Sequence, residues 1–270
     1  MTTQTPLDAM AALPAADRVR SLHDLTGRVA LVTGGASGLG RMMAWALACS
    51  GADIAIVDRD AERAAECAKE IAAGSGRRAV STAADVASES AVDGAIDAVT
   101  RELGDIDILV NNAGHNIRKP LVEYGVAEFD SLYEVHVRGT FLFCRRIAPR
   151  MQARRRGSII NIASMLALIG ARGVAPYAAA KAAIMQLSRV LALEMAPYNV
   201  RVNSIAPGYI DTPLTRQHAP EVRARISETT PLGRFGEVTE LIGPVLFLAS
   251  DASSFVTGAT LVVDGGWTAQ

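Results

Sequence analysis

Three residues of the chain have the types and spacing of a proton-transfer site. Tyr177 and Lys181 are four apart, so on a helix they share one face, and Ser164 lies 13 residues upstream. An ammonium beside a phenol favours the phenolate and is expected to bring a pKa of about 10 toward neutrality. Such a tyrosine gives a proton to a carbonyl oxygen or takes one from an alcohol. Ser164, just past the apolar run 157–162, is placed to steady that oxygen. Alone, a tyrosine and a lysine at this spacing make an ordinary exposed pair; what accompanies them points to chemistry.

The companion is a glycine cluster, Thr33-Gly34-Gly35-Ala36-Ser37-Gly38-Leu39-Gly40, directly after an apolar run and at the start of a helical pattern. Glycines there let the backbone turn tightly and approach a pyrophosphate, which the free N–H groups and the positive end of the helix favour. Asp58 follows 18 residues beyond Gly40, at the end of the second apolar run. A dinucleotide-binding unit places an acid there on the adenosine ribose hydroxyls. A carboxylate at that place repels a 2′-phosphate, so NAD is expected over NADP, with Arg59 and Arg41 as the residues that would reverse the preference.

The elements that must position these groups alternate along the chain. Strands are predicted at 28–33, 53–58, 78–83, 106–111, 157–162, 200–205 and 259–263, with helices at 38–50, 61–73, 88–103, 126–153, 176–196 and 238–249. Apolar runs without polar alternation suit strands covered on both faces, so the fold class is α/β, a single Rossmann-like doubly wound parallel sheet. No linker divides residues 25–270; residues 1–24 read as an extension, and the Pro- and Gly-rich stretch 207–236 as a lid.

The 27 basic and 28 acidic residues leave a net charge of −1, which offers no field for nucleic acid or an anionic membrane and suits a small-molecule partner. The three cysteines form no CxxC pair and no HxxH spacing exists, so no metal is expected. No apolar run approaches the ~18 residues of a membrane span. The first 25 residues lack the pattern of a signal peptide, which makes the cytoplasm the expected compartment.

Read together and in order, these motifs resemble the short-chain dehydrogenase/reductase family from about Leu25 to Trp267. The glycine cluster, Asp85, Asn111-Asn112-Ala113-Gly114, Ser164, Tyr177 with Lys181, Asn203, Pro207-Gly208 and Val263-Asp264-Gly265-Gly266 carry the resemblance. It implies a nicotinamide cofactor, NAD by the Asp58 argument, held by Gly34, Ser37, Gly38, Leu39, Gly40 and Asp58. It also implies that Asp85 and Val86 meet the adenine and that Asn112, Ala113 and Gly114 line the cofactor. Tyr177 and Lys181 would touch the ribose and nicotinamide, flanked by Pro207, Gly208, Ile210 and Thr212. A homotetramer built from paired helices is implied as well.

Within that family the chain is similar to 2-deoxy-gluconate 3-dehydrogenases and gluconate 5-dehydrogenases, through Asn116-Ile117-Arg118-Lys119-Pro120 and the ending Val263 to Trp267. That similarity implies a sugar acid or polyol, an alcohol/ketone pair whose carboxylate Arg118 or Arg172 would receive, with His115 facing the substrate. Ordinary surface arginines are the alternative. His136 departs from the family, which has asparagine there to hold a water that links the active-site lysine to solvent. An imidazole that replaces it is expected to be catalytic and to add an acidic limb to the pH profile. A 3-oxoacyl reductase and a catalytically silent NAD-binding protein stand as the other readings.

Overall fold

Chain segments that are apolar at every position can be strands only where both faces are covered. β1 (Val29–Thr33), β2 (Asp53–Asp58) and β4 (Ile108–Asn111) come close to this, polar only at their ends, and nearly every residue in them is buried. The computed structural model describes residues 15–213 and 215–270. In it these strands join β3 (Ala79–Ala83), β5 (Gly157–Ile162), β6 (Val200–Pro207) and β7 (Thr260–Val263) in one sheet. The order is β3-β2-β1-β4-β5-β6-β7, and every pairing is parallel.

Helices α1 (Ala16–Arg20), α2 (Gly38–Cys49), α3 (Ala61–Ser75), α4 (Glu89–Leu103), α5 (Val126–Tyr133), α6 (Gly139–Arg154), α7 (Ala175–Met195), α8 (Pro220–Thr229) and α9 (Ile242–Ala249) complete the chain. Strand alternation splits the interior in two. Ala30 and Val32 pack with Met43, Leu47, Ile71 and Leu248 under α2, α3 and α9. Val29 and Leu31 pack on the other face with Ile96, Val99, Phe143 and Ile147 of α4 and α6.

The order of the strands reverses between β1 and β4, so the connections leaving these two strands diverge and open a crevice at their carboxyl ends. Side chains hold its two lips together. The Asn112 and Ala113 N–H groups donate to Thr33 Oγ1 at 3.0 and 3.1 Å, and Asn112 Nδ2 donates to the Thr33 and Gly34 carbonyls at 3.0 and 3.1 Å. At the opposite end of the same strands, the buried Asp107 accepts the Val29 N–H at 3.0 Å.

One sequence expectation changes, and two gain detail. The helix expected over 126–153 is interrupted by a five-residue π-helical turn, Glu134–Arg138, between α5 and α6. The 207–236 stretch contains α8 and is closed at its base by an Ile210 to Gly236 bridge. Of the 1–24 extension, residues 1–14 lie outside the described residues. Its remainder docks on the domain: His23 Nδ1 lies 3.3 Å from Ser250 Oγ, and Leu25, just beyond, is buried.

The lip contact is testable. Thr33→Val preserves volume but leaves the Asn112 and Ala113 N–H groups without their acceptor, so it is expected to cost ~1–3 kcal/mol. A lowered urea midpoint with an unchanged slope would record it.

Candidate active site

β5 ends at Ile162, and Ser164 begins a 3-10 turn, Met165–Ala167, by accepting the Leu166 N–H at 3.2 Å. α7 then starts with Pro176 in its first turn, a position that needs no N–H. This brings Tyr177 and Lys181 against the strand end. Lys181 is buried and donates from Nζ to the Ile162 carbonyl at 2.6 Å, with its ammonium 5.7 Å from the Tyr177 ring centroid. The three expected residues are therefore assembled.

Their electrostatics differ from the expectation. Burial pushes Lys181 down to about 7, and burial pushes Tyr177 up to about 12 against the pull of its hydrogen bond with Ser164. Each charged form would help the other, but desolvation penalises both, and within the protein's own groups it outweighs the attraction. The lowering of the phenol toward neutrality is thus not a property of Lys181 and Tyr177 by themselves.

His136 sits in the π-helical turn, 2% exposed, with its ring edge-on to Tyr177 at 5.3 Å between centroids. Its Nε2 lies 2.7 Å from the His115 carbonyl, an acceptor, so Nε2 carries the proton. Nδ1 then holds a lone pair, and that atom is buried with no partner. The imidazole occupies space that only glycine leaves: a Cβ on Gly114 would lie 2.3 Å from its Cε1. Burial first and the Lys181 charge second push His136 down to about 2. It stays neutral across the working range, and the acidic limb expected of its titration is withdrawn.

At the crevice the glycine cluster is shaped by contact. A Cβ on Gly40 would lie 2.1 Å from the Gly34 carbonyl oxygen, so the turn closes only with glycine there. Ser37 precedes α2 without capping it by its side chain, which leaves the first-turn N–H groups of Gly38, Leu39 and Gly40 for an anion. Asp58 accepts the Ala36 N–H at 3.2 Å and the Asp60 N–H at 3.2 Å, which fixes its half-buried carboxylate beside the turn. These residues fit a dinucleotide: an uncapped helix end for the pyrophosphate and an oriented acid for the ribose.

Around them, Asp85 is exposed and accepts the Ala87 N–H at 2.9 Å, while Val86 is buried. Asn112, Ala113 and Gly114 form the lip already described. Pro207 ends β6, and Gly208 packs on Asp264, where a Cβ would lie 2.7 Å from its Cα. Ile210 turns its side chain into the core, so only its backbone is left for a ligand. Thr212 caps Thr215, whose N–H donates to its Oγ1 at 3.3 Å.

On the substrate side, His115 is half-buried with Nε2 3.4 Å from Ser131 Oγ, and Arg118 and Arg172 are exposed. Arg118 packs on Gly173, where a Cβ would touch its Cγ at 3.4 Å. Sequence reasoning passed over His218 and Arg223. Burial lowers the His218 pKa, and the charges of Arg118 and Arg223 lower it further; Arg223 lies in α8 and is paired with Asp211 at 2.9 Å. Nothing in their spacing signalled it, because Arg118 and His218 stand a hundred residues apart in the chain. Among the described residues, no group of three His, Cys, Asp or Glu side chains is arranged for a metal, and no helix is long and apolar enough to cross a membrane.

A strand-turn-helix cradle beside a buried lysine and a tyrosine defines a class, and comparison with known proteins agrees. The family profile described as enoyl-(acyl carrier protein) reductase matches residues 34–268. The chain is 40% identical to the 2-dehydro-3-deoxy-D-gluconate 5-dehydrogenase of Escherichia coli (strain K12), over 93% of this chain and 100% of that enzyme. It is also 40% identical to the cyclopentanol dehydrogenase of Comamonas testosteroni, over 90% of this chain and 98% of that one. The structure of a gluconate 5-dehydrogenase from Burkholderia cenocepacia, in complex with NADP and tartrate, superposes with a TM-score of 0.90 at 40% identity, covering 93% and 99% of the two chains. The chain belongs to the short-chain dehydrogenase/reductase family and is an oxidoreductase of secondary alcohols and ketones that uses a nicotinamide cofactor.

Because His136 binds a proton readily only in the unfolded chain, its burial stabilises nothing below the unfolded value and penalises folding as pH falls. From 6.5 down to pH 5 this amounts to ~2 kcal/mol. His136→Asn removes the titration. The wild type is expected to lose that much stability relative to the variant between pH 7.5 and 5, read from paired urea melts; parallel losses would place the imidazole in solvent.

Proposed function

We propose that the protein transfers a hydride reversibly between NAD and a secondary alcohol or ketone of a sugar acid or polyol. The observation that carries this reading is Lys181 anchored on the Ile162 carbonyl, with Tyr177 and Ser164 beside it at the mouth of the glycine turn. In the oxidative direction Tyr177 takes the hydroxyl proton, Ser164 steadies the oxygen as it becomes a carbonyl, and Lys181 positions the ribose and favours the phenolate when charged. The nicotinamide, when bound, accepts or supplies the hydride at C4. His136, with its unpaired Nδ1, holds a water of the proton path as a neutral acceptor.

A carboxylate on the substrate is supported by Arg118, exposed and without an ion pair among the described residues, with Arg172 and His115 as the other candidate contacts. NAD is supported by the Asp58 carboxylate and by Arg41, which is engaged with Glu70 at 2.5 Å. The NADP in the Burkholderia structure makes Arg59 the residue to watch, since it follows Asp58 and is exposed. A tetramer is supported by apolar side chains left exposed on α5, α6 and α7, among them Phe129, Phe141, Val190 and Leu193.

A spectrophotometric screen of NAD and NADP reduction over sugar acids, polyols and cyclic alcohols tests the reading. A sugar acid is expected to be oxidised with NAD preferred in kcat/KM, and Tyr177→Phe is expected to lower turnover by ~10²–10⁴-fold with the cofactor still bound. Oxidation of cyclic alcohols alone would reassign the substrate, and preference for NADP would mean that Arg59 dominates Asp58.

Arg118→Met is expected to raise KM for the acid ~10- to 100-fold and leave a neutral polyol nearly unaffected. Equal effects on both would remove Arg118 from the site. Light scattering at micromolar concentration is expected to report four subunits, and a monomer would count against the paired helices.

A further inference from the structure

At the amino ends of the strands, away from the crevice, lies a cavity of about 610 Å³. Arg28, Arg154, Arg155, Arg156 and Arg201 line it together with Asp107 and Asp251, and Arg18 and Leu22 of the docked extension roof it. The strands between it and the crevice are five or six residues long, which separates the two by ~17–20 Å. The size is that of a small-ligand site rather than of a flat surface patch.

The charges do not balance. Asp107 is buried and its Oδ1 already receives Arg154 Nη1 at 2.8 Å and Arg156 Nη2 at 2.8 Å. Asp251 meets Arg28 only at 3.4 Å and is 77% exposed. Asp105 touches Arg154 at 3.5 Å from outside the cavity. Arg201 donates to Ser253 Oγ and to the Leu248 and Ser250 carbonyls, and Arg155 donates to the Pro197 carbonyl. Among the described residues neither has a carboxylate within 4.0 Å. With Arg18, six guanidinium groups thus face two lining carboxylates, and counting Asp105 still leaves an excess of positive charge.

One further feature suits an anion. Burial lowers Arg201 to about 10, against the pull of Asp251 and with a smaller push from Arg28. A cation held in that environment gains from a nearby negative charge, and planar guanidinium groups match phosphate oxygens two at a time.

We propose that this cavity is a second ligand site, for an oligophosphate carried either free or as the tail of a nucleotide, with Arg28, held only by a long contact to Asp251, and Arg155, held only by a backbone carbonyl, as its ligands.

Calorimetry with inorganic tripolyphosphate tests it, on the full chain with its dinucleotide site saturated by NADH or NADPH so that the glycine turn cannot answer for the cavity. One saturable event is expected, far tighter than with orthophosphate and matched by ATP if the phosphates alone are read. Arg28→Gln and Arg155→Gln are each expected to weaken it about tenfold while KM for the dinucleotide stays unchanged. The proposal is overturned if binding disappears once the dinucleotide is present, if orthophosphate binds as tightly, or if both variants bind like the wild type. Should either variant fail to fold, the competition in the wild type still decides.

Discussion

The structure depends on the reversal of strand order between β1 and β4. A parallel sheet whose order runs one way has its connections lying side by side. Here they part, and the gap must be prevented from splaying. Thr33 Oγ1 and the Asn112 amide do this from within the gap, each meeting backbone groups of the opposite lip. Everything that touches a ligand hangs on those two strand ends or on their neighbours: the glycine turn on β1, Asp58 on β2, the Asn112 to Gly114 lip on β4 and Ser164 beyond β5.

A second theme is that the site removes water from groups that prefer it. Lys181 has a single backbone carbonyl as its recorded partner, Tyr177 is held as a phenol, and His136 is kept from protonating by burial and by Lys181. Burial costs Lys181 its full charge, and it deepens the preference of Tyr177 and His136 for their neutral forms. They are sustained by the surrounding packing. The same arrangement explains why a spacing argument about Tyr177 and Lys181 misjudged the phenol: it counted the attraction between the two and not the cost of drying them.

Much of the fold could be read directly from the chain because its central strands are apolar between their ends and many of its breaks carry glycine. The seven strands were expected within a residue or two of where they lie, and the triad and glycine turn come together as expected. The interruption of the 126–153 helix was not legible. Glu134-Val135-His136-Val137-Arg138 has no glycine or proline, and a change from α to π hydrogen bonding leaves no compositional trace. The grouping of Arg118, His218 and Arg223, and the arginines gathered at the strand starts, were equally hidden. Both arise from long-range folding that places side chains from distant segments together.

The π-helical turn has a geometric cost elsewhere. One extra residue in a helical turn rotates every later residue by ~100°. α5 and α6 are therefore out of phase, although the chain between them never leaves the helical path. α6 keeps Phe143, Ile147 and Met151 on the sheet, while Val126 and Phe129 of α5 remain in solvent. Shortening the turn by one residue would bring the two stripes into line and swing His136 away from Tyr177. The rod is thus bent out of step to place one imidazole, and its sequence must satisfy two different angular registers at once.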